Sequence, residues 1–243
     1  MRRCDGGRGD GERLARSSIE SRAMSVNALR RDTGRAALAF ILAGALAVAA
    51  PASADGCPDV ELVFARGTGE PVGVGRVGQA LADALAPLLG GRTLATYGVN
   101  YPAGINFLNT SAGADDAASH IAGMAANCPN TRLALGGFSQ GAAVVSMLAG
   151  VPPVGQRIGS LGSAPPLAPD LAGRIAAVAV FGNPSTRFGS PLSSAGIFAG
   201  RAIDLCSEGD PICSAGGRDR AAHNGYEFPP YSEQAAGFIA GLV

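Results

Sequence analysis

Apolar residues along this chain follow two rhythms. Short continuous runs read as buried strands: Asp59–Ala65, Thr93–Val99, Leu133–Phe138, Ile175–Phe181 and Arg201–Leu205. Between them, apolar positions recur at helical spacing, as in Val74, Val77, Leu81, Leu85 and Leu88 over residues 74–89. Residues 111–126 predict a second helix, opening on Ser111 and carrying Asp115 and Asp116 early, where the helix dipole favours acids. Residues 140–149 and Ser232–Leu242 predict two more. Strands alternating with helices predict an α/β fold, a parallel sheet covered on both faces. No repeat or low-complexity linker divides residues 55–243, so one domain is expected there. Pro152-Pro153 and Pro165-Pro166 mark a long surface connection between the third and fourth strands.

One apolar stretch stands outside this alternation. Residues 36–50 form a 15-residue run behind Arg30, Arg31 and Arg35, and Ala52-Ser53-Ala54 follows as a small-x-small cleavage site. Spanning a bilayer takes about 20 apolar residues, so the run reads as a secretion signal cut after Ala54. A retained anchor is the alternative. Met24 sits at a normal distance upstream, so either it is the start or residues 1–23 are a disordered extension, and residues 1–54 are expected outside the folded domain. After cleavage no stable membrane insertion is expected.

Charge and cysteine content narrow the function. The chain is 47% hydrophobic and 16% charged, which excludes a disordered protein. Residues 1–54 hold nine arginines against five acids, and residues 55–243 hold ten against fourteen. A mildly acidic main body argues against nucleic acid as a partner. Beyond Cys4, four cysteines remain: Cys57, Cys128, Cys206 and Cys213. An even number in an exported chain implies disulfides, with three pairings open. Nearness in sequence favours Cys206 with Cys213, which leaves Cys57 with Cys128. With no Cys-x-x-Cys and two histidines, no metal is expected. The Gly-rich turn after the first strand has neither a phosphate-loop nor a dinucleotide pattern, so no cofactor is expected either.

The chemistry centres on Gly137-Phe138-Ser139-Gln140-Gly141, between a predicted strand and a predicted helix. That is the context of a nucleophile elbow, a turn too tight for side chains at its flanks, which lifts the Ser139 hydroxyl above the sheet edge. It aims the Gln140 N–H at the same point. A serine hydroxyl is a weak nucleophile and needs a base and an acid. His120 lies mid-helix before the serine, whereas His223 follows the fifth strand in the loop Ala221–Tyr226, which makes it the base candidate. Acids between them are Asp170, Asp204, Glu208, Asp210 and Asp219. Asp204 falls inside a strand, Asp170 precedes the fourth strand, and Asp219 reads as solvated. Asp210 lies in the Cys206–Cys213 segment, where a local bridge would hold the carboxylate against the imidazole. Thr68, between Gly67 and Gly69 after the first strand, offers its N–H and hydroxyl as further oxyanion donors beside the Gln140 N–H.

Four elements in this order resemble the cutinase family of serine esterases, across residues 55–243. They are Ala65-Arg66-Gly67-Thr68-Gly69-Glu70, Gly136-Gly137-Phe138-Ser139-Gln140-Gly141, the Cys206…Asp210…Cys213 loop, and His223 followed by Tyr226. The resemblance implies a small lidless α/β hydrolase with a five-stranded parallel sheet of order 2-1-3-4-5. It implies bridges Cys57–Cys128 and Cys206–Cys213, Ser139 as nucleophile, Asp210 as acid and His223 as base. Thr68 and Gln140 match the oxyanion positions, Thr68 where fungal cutinases more often carry Ser. The loop between acid and base departs from the fungal pattern. It reads Ser214-Ala215-Gly216-Gly217-Arg218-Asp219-Arg220, polar where fungal enzymes carry an apolar tip. Opposite it, Ile105, Phe107 and Leu108 read as loop core or as a partly apolar wall. The expectation is a secreted, monomeric carboxylesterase, free or wall-associated, acting on small esters or lipids of short to medium acyl chain. The alternatives are a lipase, phospholipase or acyltransferase on envelope lipids, or a catalytically silent binding protein.

Overall fold

The computed structural model of the chain describes residues 56–155 and 160–243, all within the unit Ala49–Val243. The expected signal, its cleavage site and the Met24 start lie outside the described residues. Five strands form one sheet in the order β2-β1-β3-β4-β5, with every neighbouring pair parallel. They are β1 (Val60–Ala65), β2 (Leu94–Gly98), β3 (Arg132–Phe138), β4 (Ile175–Phe181) and β5 (Ala202–Leu205). Each matches a predicted apolar run to within a residue or two.

The helices follow the predicted pattern with refined ends. They are α1 (Gly75–Leu85), α2 (Thr110–Asn127), α3 (Gln140–Leu148), α4 (Pro169–Ala172), α5 (Pro184–Arg187), α6 (Arg220–Asn224) and α7 (Tyr231–Ala240). The predicted helix over 74–89 ends at Leu85 and tightens into a 3-10 turn over Ala86–Leu89, with proline near its start. The acids of α2 have a different role from the one expected. The first turn of that helix holds no acid. Asp116 instead accepts from the Tyr97 hydroxyl at 3.0 Å and the Asn100 N–H at 2.8 Å, tying the helix to the end of β2.

Strand side chains alternate between two cores, as the period of two requires. Val63, Leu133, Leu135, Val178 and Val180 face one core with Ile121 of α2 and Val144, Val145 and Leu148 of α3. Leu62, Phe64, Ala134, Ala179 and Phe181 face the other, with Leu81 and Leu85 of α1 and Ile239 of α7. Full burial of each such large side chain contributes roughly 1.5–3 kcal/mol. The strands are therefore apolar on both faces, and they read as continuous runs rather than as alternation. Cys57 bonds to Cys128, tethering the segment before β1 to the end of α2. Cys206 bonds to Cys213 just after β5.

Parallel strands bring all their carboxyl ends to one edge of the sheet. The turns after β1, β3, β4 and β5 meet there, and ligands bind at this edge in open α/β folds.

Candidate active site

Ser139 sits between β3 and α3 with φ 53° and ψ −112°, left-handed backbone that a residue with a Cβ rarely adopts. Such geometry costs on the order of 1–3 kcal/mol and persists only where the surroundings enforce it. They do so here. The Ser139 N–H donates to the Phe181 carbonyl at 2.9 Å, and the Ser139 carbonyl accepts from Ala143 N–H at 3.1 Å. A Cβ on Gly137 would lie 2.4 Å from the Gly141 carbonyl oxygen, and one on Gly141 would lie 1.8 Å from the Ala65 oxygen. Glycine at both flanks is therefore obligatory, because backbone fills the space.

The structure brings Ser139, His223 and Asp210 into one hydrogen-bonded line. Ser139 Oγ lies 2.9 Å from His223 Nε2, and His223 Nδ1 lies 2.9 Å from Asp210 Oδ2. His223 is carried by α6, a single short turn, rather than by an open loop. Asp219, expected to be merely solvated, starts that turn by accepting from the Ala221 N–H at 2.8 Å. Gly182, at the end of β4, leaves room for the pair: a Cβ there would lie 3.0 Å from both Asp210 Oδ2 and His223 Cε1.

Asp210 is fully buried, which pushes its carboxyl up. Hydrogen bonds from His223, from the Tyr226 hydroxyl at 2.6 Å and from the Ile212 N–H at 2.6 Å outweigh burial. Together they hold Asp210 below the usual carboxylate range. An ionised carboxylate only accepts, so His223 carries its proton on Nδ1 and leaves Nε2 free to accept from the Ser139 hydroxyl. Burial and the Asp210 carboxylate push the Tyr226 phenol up, keeping it protonated and a donor. The Cys206–Cys213 bridge closes the loop that carries Asp210, and Cys213 Sγ lies 3.3 Å from the Tyr226 hydroxyl. The sequence marked Tyr226 only as the tyrosine that follows His223, and its bond to Asp210 is seen in the structure alone.

The other predicted donors meet at the same edge. Gln140 is the first residue of α3, so its N–H has no intrahelical partner. The Thr68 hydroxyl donates to Gln140 Oε1 at 2.8 Å. Gln140 Nε2 donates to Thr110 Oγ1 at 3.0 Å, and Thr110 donates to the Phe107 carbonyl at 2.6 Å. The chain of donors fixes each orientation. The resting Thr68 hydroxyl proton is therefore committed to Gln140, and the Thr68 and Gln140 N–H groups are the donors left for an oxyanion.

His120 is remote from this chemistry, paired with Glu61 at 3.0 Å and stacked on Tyr97. Asp204 serves structure, accepting from Asn183, Thr186 and the Ser193 N–H. Ile105, Phe107 and Leu108 are exposed, Ile105 at 87%, so they are not loop core. Among the described residues no cluster of ligands could hold a metal ion.

The chain is similar to known proteins. "Probable carboxylesterase Culp3" of Mycobacterium tuberculosis is 51% identical over 190 residues, covering 77% of this chain and 70% of that protein. "Phospholipase Culp4" of the same species is 50% identical over 220 residues, covering 89% and 93%. Trichoderma reesei cutinase, solved with a phosphonate inhibitor, superposes with a TM-score of 0.62 at 34% identity, covering 78% of each chain. The cutinase family model matches residues 56–243. On that match and these identities, the chain belongs to the cutinase family of serine esterases.

Proposed function

We propose that the chain is an exported, monomeric serine carboxylesterase that works through Ser139, His223 and Asp210. Residues 55–243 form the catalytic domain and residues 1–54 its leader. The Ser139 oxygen attacks the ester carbonyl while His223 Nε2 takes its proton. Asp210 holds the resulting imidazolium, and the N–H groups of Thr68 and Gln140 take up the charge on the carbonyl oxygen. Collapse expels the alcohol, which receives its proton from His223. Water, activated by the same imidazole, then hydrolyses the acyl-enzyme.

One observation carries this reading: the line from Ser139 Oγ to His223 to Asp210 Oδ2, with 2.9 Å at each link. Export is supported by two disulfides, which persist in oxidising compartments. No helix among the described residues is long and apolar enough to cross a membrane. Short to medium acyl chains are the substrate class. The segment between acid and base is polar and exposes Ala215, Gly216, Arg218, Asp219 and Arg220, which suits a soluble ester better than a waxy surface. A second reading, a phospholipase, is favoured by the 50% identity to Culp4 and by the exposed apolar side chains of Ile105, Phe107 and Leu108.

Hydrolysis of p-nitrophenyl esters from C2 to C16, beside Ser139→Ala, tests the proposal. Activity peaking at C4–C8 and abolished in the variant is expected. Activity surviving in Ser139→Ala overturns the mechanism. Faster turnover of phosphatidylcholine vesicles than of butyrate ester moves the assignment to the phospholipase.

A further inference from the structure

We propose that Glu70 is a positioning residue for the reaction: it clamps the Gly67-Thr68 turn so that the Thr68 N–H is aimed at the oxyanion. The inference rests on the catalytic reading above.

The Glu70 side chain is only 3% exposed, a rare placement for a carboxylate without a close cationic partner. Among the described residues the cation within ion-pair reach is Arg76, at 4.0 Å. Its half-exposed guanidinium is engaged more closely by Glu227, at 2.9 Å. Backbone satisfies the carboxylate instead. Oε2 accepts from the Gly67 N–H at 2.7 Å, and Oε1 accepts from the N–H groups of Arg76 at 3.0 Å and Val77 at 3.3 Å, at the start of α1. One side chain thus ties the turn after β1 to an eleven-residue helix.

The backbone of Glu70 holds the next peptide. Its N–H donates to the Gly67 carbonyl at 3.2 Å. That carbonyl and the Thr68 N–H belong to the same planar trans peptide, in which C=O and N–H point to opposite sides. Fixing the carbonyl toward Glu70 therefore turns the Thr68 N–H away from it. A third tether, Gly69 N–H to the Ala103 carbonyl at 2.8 Å, holds the far end of the turn. The site is built closely around the acid, since a Cβ on Gly75 would lie 2.5 Å from Glu70 Oε2. Nothing in the chemical steps requires a carboxylate here, yet three of the tethers at this turn pass through Glu70 or its neighbour Gly69.

Glu70→Gln separates positioning from packing. The amide has the same shape but only one acceptor oxygen, so its NH2 must face either Gly67 N–H or the start of α1. Turnover should be measured well below each variant's melting temperature, for Glu70→Gln and Glu70→Ala, beside Arg76→Ala and Ser139→Ala. A misplaced catalytic group costs up to about 10²-fold, so we expect kcat to fall about 10-fold in Glu70→Gln and about 10²-fold in Glu70→Ala, with KM within about 2-fold. Arg76→Ala should leave kcat unchanged. Folded Glu70 variants with wild-type kcat overturn the inference, and so does failure of both to fold, which assigns Glu70 to stability alone. If Ser139→Ala stays active, the catalytic reading itself has failed, an outcome that does not depend on Glu70.

Discussion

Tyr226 donates its phenol proton to Asp210 Oδ2 at 2.6 Å, the same oxygen that faces His223. The phenol oxygen in turn accepts from the Ser207 N–H at 2.8 Å. Tyr226 therefore helps to hold both the charge and the aim of the acid. Tyr226→Phe removes the donor and strands the Ser207 N–H in a partly buried site, which costs about 1–3 kcal/mol of stability. Thermal unfolding should register that loss. Esterase activity should fall by less than in Asp210→Asn, where the wrong histidine tautomer costs about 10⁴-fold.

Acid should remove stability through Asp210. Its folded pKa is lowered from 3.8, so the unfolded chain binds this proton first as pH falls. The stability it contributes is complete above pH 3.8 and is lost as pH drops through the lower folded value. Asp59 is lowered as well, by its hydrogen bonds from Thr93, but it is common to both proteins in a comparison with Asp210→Asn. The stability gap between wild type and Asp210→Asn should narrow below about pH 4, as read by denaturant unfolding at each pH. A gap that widens on acidification would contradict the hydrogen-bonded carboxylate.

The two disulfides should fail in different ways. Cys57–Cys128 closes 71 residues and holds the start of the domain, far along the sheet from Ser139. Its removal should cost roughly 4 kcal/mol with kcat preserved. Cys206–Cys213 closes seven residues around Asp210, so its removal should cost roughly 2–3 kcal/mol and lower kcat as well. Paired Cys→Ala variants, assayed for both unfolding and turnover, separate these outcomes.

At the elbow, Gly141→Ala should be worse than most core substitutions. The added methyl meets the Ala65 carbonyl at 1.8 Å, and neither β1 nor α3 can yield without moving the other. Destabilisation of about 3 kcal/mol or more is expected in thermal melts, at the upper end of overpacking effects.

The hydroxyl relay gives a gentler test. Thr68→Ser keeps the donor to Gln140 and should retain near-wild-type turnover. Thr110→Val removes the buried acceptor of Gln140 Nε2 and should cost about 1–3 kcal/mol, because that amide is then unpaired. Comparing the two variants' kcat shows whether the Gln140 side chain positions Thr68.

Five strands and the main helices were legible because a sheet buried on both faces writes itself as continuous apolar runs, while α1 writes its single buried stripe. Short α4, α5 and α6 were not legible. Four or five residues contain too few turns for a period to appear, and capping by Asn183 and Asp219 is decided by contacts made after folding. The acids of α2 misled because a dipole argument uses position along one helix, whereas Asp116 answers to β2 across the sheet edge.

The sequence by itself determined the nucleophile candidate, since Gly137 and Gly141 around Ser139 admit few other turns between a strand and a helix. It also limited the base to one of two histidines, and it bound Asp210 between two nearby cysteines. Only the tertiary structure decided how these groups are held. It buried Asp210 yet held its carboxyl below the usual range through His223, Tyr226 and Ile212, and it committed the Thr68 hydroxyl to Gln140. It also placed Glu70 beneath the turn, joined to α1. Such relations join residues far apart in the chain, up to 84 positions for His223 and Ser139. Local pattern carries no record of them, because hydrogen-bond direction and desolvation exist only once the strands have brought their carboxyl ends to one edge.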